Sequence, residues 1–235
     1  MSEENSILRK EIKYRIPLNK ALIIKNCLDK LLQRDAHGVG GIYSVRSLYF
    51  DSINNKDFSE KLSGTENRKK VRIRIYNGDS SPCKLELKRK KGEYQCKQSL
   101  LISELDAKAI MQGNFDILKK YFIYSETSVN IYKIMEVGGY RPVALIEYDR
   151  TAYKHSLYDT RITLDMNIRS SESNFDLFSS KTIYTPTEYE NVILEVKYSG
   201  KMLRYISDIL VQFDLNQYTY SKYCTGRRIY YDFNY

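Results

Sequence analysis

The chain has 235 residues, of which 42% are hydrophobic and 29% are charged, and its formal net charge is +9. This length and composition fit one sizeable domain with a hydrophobic core, so we predict a single domain over residues 1–235. The N-terminal residues lack the layout of a signal peptide, and no apolar run reaches the roughly 20 residues that span a bilayer. The positive charge predicts an anionic partner, and it suits nucleic acid, phosphate ligands and anionic lipid alike.

The cysteines and histidines disfavour several kinds of chemistry. The four cysteines are scattered and form no C-x-x-C pair, which predicts reduced thiols in a cytoplasmic protein and no zinc site or disulfide framework. His37 and His155 are the two histidines of the chain. A histidine-based triad or a metal site with several histidine ligands is therefore disfavoured, and a metal would be held by oxygen atoms.

The chain begins with a predicted strand over residues 7–17, where alternation places Glu11 and Lys13 on one face. A helix with an apolar stripe follows this strand. The glycine-rich segment 37–41 lacks the terminal Lys-Ser/Thr of a P-loop and opens no helix, so it predicts a flexible connection. After a further strand, the polar, lysine-rich residues 54–69 predict a mobile excursion.

The central hairpin, residues 70–90, has the densest charge. In its first arm Arg72 and Arg74 share one face, opposite valine and isoleucine. In its second arm leucines alternate with the charged residues Lys84, Glu86, Lys88 and Lys90. A solvated strand face usually mixes neutral polar residues with charges of either sign, whereas this face is mostly cationic. The hairpin alone leaves a solvated face and a binding face equally open.

The same pattern recurs in the second half of the chain. After another strand, a helical region over roughly 103–137 precedes three more strands, each with charged residues on one face and apolar residues on the other. Their charged positions are Arg150 in 142–153, Arg161 and Asp165 in 160–166, and Glu195 and Lys197 in 191–198. An amphipathic helix over 202–213 and the basic segment 221–228 end the chain.

About eight strands therefore pair an apolar face with a charged face, and two architectures fit them. In an open sheet the charges face water. In a closed antiparallel barrel they turn inward, and helices cover the apolar outside. Burying unpaired cations costs on the order of several kcal/mol each, so the barrel requires a wet interior that a polyanion and a divalent metal enter. The oxygen ligands for Mg²⁺ or Mn²⁺ would then be Glu11, Glu86, Asp165 and Glu195.

Eight short motifs occur in order at strand-like spacing across residues 8–228. They are E-I-K-Y (11–14), S-L-Y-F-D (47–51), R-I-R-I-Y (72–76), L-E-L-K (85–88), Y-D-R-T-A-Y (148–153), R-I-T-L-D (161–165), L-E-V-K (194–197) and S-K-Y-C-T-G (221–226). Each alone is weakly specific, but together they resemble the VTC domain, the polyphosphate polymerase branch of the triphosphate tunnel metalloenzymes in the CYTH-like superfamily. The resemblance implies an α+β fold in which a closed antiparallel eight-stranded β-barrel forms a tunnel, with helices packed on its outside.

Members of this family transfer the γ-phosphoryl group of ATP to a growing polyphosphate chain and require Mn²⁺ or Mg²⁺. The resemblance therefore implies ATP and inorganic polyphosphate as ligands, and nucleic acid is not expected. By motif, the implied catalytic cations are Lys13, Arg72, Arg74, Lys88, Arg150, Arg161 and Lys222, and Lys197 joins them because it shares a strand face with Glu195. Glu195 is the implied metal ligand, with Glu11 and Glu86 as secondary candidates. The further implied substrate contacts are Lys61, Lys84 and Tyr148.

The chain departs from these relatives just before S-K-Y, where it has Q-Y-T-Y (217–220) in place of another basic residue. One outer phosphate contact is therefore expected to be missing. Because the chain starts almost at its first strand, the resemblance implies a form without the regulatory SPX domain and transmembrane helices of eukaryotic assemblies. The channel assemblies of relatives suggest a membrane protein partner for this cytoplasmic domain.

Two other functions remain open from the sequence. Water could replace the phosphate acceptor in the same tunnel, which would give a hydrolase of tripolyphosphate or another triphosphate. A non-catalytic module that binds polyphosphate or nucleic acid is the other alternative. Nucleic-acid binding calls for a basic stripe on an outer surface, whereas here the cations are interleaved with carboxylates on strand faces.

Overall fold

The computed structural model describes residues 9–35, 41–92 and 94–231, which form ten strands and six α-helices. The strands are β1 (Arg9–Pro17), β2 (Gln33–Arg34), β3 (Ile42–Asp51), β4 (Arg68–Tyr76), β5 (Asp79–Lys91), β6 (Tyr94–Ile102), β7 (Arg141–His155), β8 (Thr160–Ser171), β9 (Thr185–Pro186) and β10 (Asn191–Ser199). The α-helices are α1 (Leu18–Leu31), α2 (Lys56–Leu62), α3 (Glu104–Met111), α4 (Glu126–Gly138), α5 (Arg204–Gln212) and α6 (Lys222–Tyr231). Two 3₁₀ helices are Phe115–Tyr121 and Leu157–Asp159. Most of the predicted glycine-rich connection lies outside the described residues.

All ten strands belong to one antiparallel sheet. Its main path runs β1-β10-β8-β7-β3-β4-β5-β6, while β2 pairs with β7 and β9 pairs with β8. The predicted α+β class, with a large antiparallel sheet and helices, is confirmed. Closure of the barrel is not, because in the described part of the chain no backbone ladder joins the end strands β1 and β6.

The central hairpin pairs β4 with β5, and its faces follow the predicted alternation. Arg72 lies opposite Glu86, and Val71 lies opposite Leu87. The polar residues 77–82 predict a turn of six residues, but the turn is tighter, because β5 begins at Asp79. It is made by Asn77 and Gly78, whose φ angles are 53° and 75°, as a two-residue type I′ turn requires.

The apolar faces of the strands pack against helices on the outer side of the sheet. Ile73 of β4 and Leu85 of β5 belong to one core that includes residues of α3 and α4. Leu194 of β10 and Ile162 of β8 belong to a second core with α1 and α5. Each fully buried Leu or Ile side chain stabilises the fold by about 1.5–3 kcal/mol, so these two cores hold the outer helices in place.

The charged side of the sheet is its concave side. In the strand order β1 and β5 are six steps apart, which in a flat sheet would separate them by about 29 Å. However, Lys88 Nζ on β5 lies 3.6 Å from Glu11 Oε2 on β1. The sheet must therefore curl strongly, so that the charged faces of its distant strands meet.

The helix α6 fills one end of the concave side. Its Tyr223 ring stacks on Tyr49 of β3, with centroids 5.2 Å apart, and its hydroxyl donates to Asp51 at 2.5 Å. A Cβ atom at Gly226 would lie 3.1 Å from side-chain atoms of Ile146 on β7 and of Ser170 on β8. Glycine at this position therefore lets the helix backbone approach the sheet closely.

The segment predicted as a mobile excursion contains the helix α2, so that prediction is wrong for its first half. The carboxylate of Asp51 accepts hydrogen bonds from the backbone N–H groups of Asp57 and Phe58, at 2.9 and 3.0 Å. The Phe58 ring packs edge-on against Tyr223 at 6.0 Å. The helix is seven residues long, too short for periodicity to reveal it, and these tertiary contacts hold it.

Candidate functional site

Cationic side chains from β1, β4, β5, β7, β8, β10 and α6 meet on the concave side of the sheet. The structure places all the predicted catalytic cations there: Lys13, Arg72, Arg74, Lys88, Arg150, Arg161, Lys197 and Lys222. The strand alternation explains this placement, because the apolar residues next to these cations in sequence point to the opposite face and pack in the outer cores. Their roles in binding or catalysis stay predictions.

Glu11 is surrounded by lysines at the β1–β10 end of this surface. Lys13 Nζ lies 2.8 Å from its Oε1 atom, and the Nζ atoms of Lys88 and Lys197 lie 3.6 and 3.8 Å from its Oε2 atom. Burial and the charge of Glu195 raise its pKa, but the three lysines outweigh them and bring the pKa to about 2. The carboxylate is therefore ionised at neutral pH.

Glu195 lies beside Glu11, on the neighbouring strand. It forms an ion pair with Lys197 and is directly opposite Lys13 in the β1–β10 register. Burial opposes its ionisation, but Lys197, Lys13 and other cations hold its pKa well below the ordinary value. The result is a pair of ionised carboxylates that repel each other and share their lysines.

This carboxylate pair fits a divalent metal only together with a phosphate ligand. In the described ranges no three His, Cys, Asp or Glu side chains are grouped so that they could hold a metal ion. Mg²⁺ is commonly held by one or two carboxylates, with water and substrate phosphates completing its shell. Glu11 and Glu195 match that arrangement in number and chemistry.

Glu86, the third predicted metal ligand, has different surroundings. Arg72 Nε lies 2.6 Å and Arg74 Nη1 3.8 Å from its Oε2 atom, and Lys97 of β6 forms a further ion pair with it. Burial raises the pKa of Glu86, but these three cations lower it far below the ordinary range. The carboxylate is thus engaged in positioning cations, and it fits a metal less well than Glu11 and Glu195 do.

Asp165 orients the cations next to α6. Arg150 donates to its two oxygens at 2.6 and 2.8 Å, and Lys222 Nζ lies 2.5 Å from Oδ2. Tyr148 is 2% exposed, and its ring centre lies 5.1 Å from the Arg150 guanidinium and 4.7 Å from the Lys222 ammonium. Tyr148, which was predicted as a substrate contact, is therefore buried and packs against two cations of the concave surface.

The remaining predicted contacts lie towards the edges of the concave surface. Arg161 contacts Asp35 at 2.9 Å and donates to the Tyr43 hydroxyl at 3.2 Å. Lys84 lies over the Tyr76 ring at 5.2 Å. Lys61, in the last turn of α2, has a pKa lowered by burial and by nearby cations. The helix that carries Lys61 packs against β4 and α6, so it lies at the end of the concave side that α6 fills.

Sequence reasoning missed three residues of this surface. Lys70 shares the strand parity of Arg72, so the alternation could have identified it. Lys97 lies opposite Lys88 in the β5–β6 register and could have been found in the same way. Tyr49 accepts a hydrogen bond from Arg72 at 3.0 Å. Burial raises its pKa, but Arg72, Lys70 and another arginine lower it to about 8, and no sequence signal points to this.

The fold and the site together define the class of the protein. A curled antiparallel sheet with cations and carboxylates on its concave side is the arrangement implied above for triphosphate tunnel proteins. The model of the VTC domain family matches residues 8–231. The chain therefore belongs to the VTC domain family, which confirms the resemblance found in its motifs and supports a function related to polyphosphate or triphosphate.

Solved structures support the fold. One is a candidate adenylate cyclase from Bacillus halodurans, with 14% identity, a TM-score of 0.52, and coverage of 92% of this chain and 93% of that one. Another is a candidate adenylyl cyclase from Hippeastrum described as having a dominant triphosphatase activity, with 13% identity, a TM-score of 0.56, and coverage of 93% and 94%. No curated protein matches the sequence significantly. Across the described ranges, every helix is too short or too polar to cross a bilayer.

Proposed function

We propose that this protein is a polyphosphate polymerase, which transfers the γ-phosphoryl group of ATP to the end of an inorganic polyphosphate chain. The observation that carries this proposal is the convergence of cations from seven elements on one concave surface. The carboxylates there are already paired with cations, as for Glu86 and Asp165. Excess positive charge in a shared cavity favours a ligand with many phosphates. Membership of the VTC domain family supports the same class of ligand.

The reaction needs no covalent enzyme intermediate. An oxygen of the terminal phosphate of the chain forms a bond to the γ-phosphorus of ATP, the bond from that phosphorus to the β–γ bridging oxygen breaks, and ADP leaves with the electron pair. The attacking oxygen is already anionic at neutral pH, so no general base is required. Catalysis then depends on positioning and on neutralising charge.

The cations divide this work according to their chemistry. Arg72 and Arg150 are held by carboxylates at 2.6 Å, so their guanidinium planes are oriented before the ligand arrives. An oriented guanidinium binds two phosphate oxygens at once. Lys13, Lys88 and Lys197 are movable point charges, and each can leave Glu11 to contact a phosphate as the chain shifts.

Glu11 and Glu195 would hold the divalent metal, Mn²⁺ or Mg²⁺. When bound there with the phosphates, the metal supplies additional charge neutralisation during transfer. Lys97 on β6 and Lys13 on β1 belong to the two end strands, so a phosphate chain between them attracts both. Closure of the sheet into a tunnel around the bound chain is part of the proposal.

The test is to incubate the purified protein with ATP and Mn²⁺ and to separate the products by gel electrophoresis. A polymerase forms long-chain polyphosphate and one ADP for each phosphate added. The Lys181→Ala variant, which changes an exposed lysine outside the concave surface, should behave like the wild type. Release of orthophosphate with no polymer would refute the polymerase proposal.

The alternative is an inorganic triphosphatase, in which water takes the place of the acceptor phosphate on the same surface. One structural neighbour is described as having a dominant triphosphatase activity, and the positions of the cations suit either acceptor. A non-catalytic polyphosphate-binding module would give neither polymer nor orthophosphate. The same assay therefore separates the three functions.

A further inference from the structure

Lys70 differs from most cations of the concave surface in its partners. Its Nζ atom donates to Ser221 Oγ at 3.4 Å and lies over the rings of Tyr49 and Tyr223, at 5.4 and 5.1 Å from their centres. In the described parts of the chain, no carboxylate lies within ion-pair distance of it. Its neighbours on this face of the sheet are cations, since Lys88 lies opposite it and Arg72 follows two residues along β4, so no carboxylate there offsets its charge.

The beginning of α6 faces the same point. Ser221 precedes the first residue of this ten-residue helix, and its hydroxyl accepts from the backbone N–H of Cys224 at 3.4 Å. The first N–H groups of a helix carry partial positive charge and have no partner within the helix. Lys70 thus adds an uncompensated ammonium group, packed on two aromatic rings, beside a helix N-terminus.

We propose that Lys70, Ser221 and the first turn of α6 bind a phosphate group that carries no metal ion, namely the terminal phosphate of the acceptor chain. The carboxylates suited to a metal, Glu11 and Glu195, belong to β1 and β10, whereas the Lys70 ammonium, the Ser221 hydroxyl and the first N–H groups of α6 include no carboxylate to hold one. The polymerase function proposed above is the basis for assigning the phosphate to the acceptor.

The position of the subsite fits this assignment. Lys70 lies opposite Lys88 in the β4–β5 register, and Ser221 is next to Lys222 in the chain. A phosphate held by Lys70 is therefore adjacent to cations already assigned to the phosphate chain. Because α6 fills the concave side beyond this point, the subsite suits the end of a chain.

The first experiment measures binding of inorganic tripolyphosphate by calorimetry in EDTA, which removes divalent metal. Lys70→Met keeps the hydrocarbon that covers the tyrosine rings but removes the charge, so affinity should fall about 10- to 100-fold, as for loss of a charge-assisted hydrogen bond. Lys70→Arg should keep affinity within a few fold, and Lys181→Ala should leave it unchanged.

Folding is monitored by thermal unfolding in phosphate-free buffer. A merely structural Lys70 would make Lys70→Met less stable than the wild type. If Lys70 instead serves to bind an anion, the melting temperature of Lys70→Met should equal or exceed that of the wild type. Adding tripolyphosphate should then raise the melting temperature of the variant less than that of the wild type. Wild-type affinity in Lys70→Met, or a large loss of stability without ligand, would overturn the proposal.

The second experiment measures KM for a short polyphosphate primer and for ATP separately. Lys70→Met should raise the KM of the primer at least 10-fold more than that of ATP. An equal increase for both would overturn the assignment to the acceptor. If the wild type forms no polymer but its metal-free binding depends on Lys70, the polymerase proposal fails while the phosphate subsite stands.

Discussion

Glu11, Glu86 and Asp165 each contact at least two cations on the concave surface. These contacts reduce the repulsion between the cations, and they also fix the orientation of the cationic side chains. A guanidinium between a carboxylate and a tyrosine hydroxyl, as at Arg72, has lost much of its rotamer freedom before a ligand binds. The ordering cost of binding a phosphate is correspondingly smaller.

Arg74→Ala should weaken tripolyphosphate binding about 10- to 100-fold while leaving the fold nearly intact. Arg74 donates to Ser47 at 3.2 Å. When the Arg74 side chain is removed, Glu86 keeps Arg72 and Lys97 as partners. Calorimetry and thermal unfolding measure the two effects. Arg89→Ala, on the outer face of β5, is the control. Normal binding by Arg74→Ala would show that this side chain takes no part in the site.

Glu195→Gln should reduce metal-dependent turnover much more than binding of tripolyphosphate. The change removes one negative charge beside Lys13 and Lys197, so these lysines stay available to phosphate while a metal ligand is lost. Activity measured over a Mn²⁺ titration, with binding measured in EDTA, separates the two effects. An unaltered metal titration would remove Glu195 from the metal site.

Because of Lys70, the free energy of unfolding should depend on pH in the alkaline range. Burial lowers the pKa of Lys70 to about 8, below the value of about 10.4 in an unfolded chain. Between these values the unfolded state binds more protons, so the free energy of unfolding rises with pH. Below pH 8, Lys70→Met should therefore be more stable than the wild type.

This advantage should shrink as the pH rises from 8 to 10, which urea titrations at each pH can measure. Lys70 is one of the cations that lower the pKa of Tyr49 to about 8, so the comparison is made in a Tyr49→Phe background, where the difference reports Lys70 alone. A constant difference across this range would contradict a lowered pKa of Lys70.

At the scale of elements, α6 connects the fold to the site. Its Gly226 lies against Ile146 and Ser170, while its first residue, Lys222, contacts Asp165. The close packing of α6 at Gly226 therefore determines where the Lys222 side chain lies at the start of the helix.

Gly226→Leu should lower both the melting temperature and tripolyphosphate affinity, because the side chain pushes α6 away from the sheet and displaces Lys222. Overpacking of this kind costs typically about 1–3 kcal/mol. Arg228→Leu, at an exposed position of the same helix, is the control. Lower stability with unchanged affinity would show that the helix does not position Lys222.

The strands were the most predictable elements, because period-two alternation appears directly in the sequence. The faces assigned to Arg72, Glu86 and Lys197 all match the structure. The helices α2 and α6 were not predicted. The first is too short to show a period, and the second has glycine and polar residues in its middle, T-G-R-R (225–228). Both are held by contacts such as that between Phe58 and Tyr223, which residue patterns do not reveal.

For the whole molecule, alternation cannot give the order of the strands or the curvature of the sheet. The contact between Glu11 and Lys88 joins residues far apart in the chain, and only the complete fold brings them together. The partners of each cation were equally hidden, and so Glu86 was grouped with Glu11 and Glu195 although its surroundings differ.

Anions with many phosphates should stabilise the whole protein. The chain has a net charge of +9, and its concave cations repel one another. At a ligand concentration of 100 times Kd the gain is about 2.7 kcal/mol, which raises the melting temperature by roughly 5–10 °C for a chain of this size. Tripolyphosphate should act more strongly than pyrophosphate, and sulfate at equal ionic strength should have little effect. Equal shifts from sulfate would indicate non-specific screening.

The position of α6 also has a consequence for how a polymer would be released. If the sheet closes around a bound chain as proposed, α6 behind the proposed acceptor subsite makes the channel blind-ended, and entry and exit share one mouth. After every transfer the new terminal phosphate must move into the subsite at Lys70 before the next ATP can bind. Residence time should then grow with polymer length until all cations are occupied and level off beyond that, which would make the proposed polymerase processive on long chains and distributive on short ones.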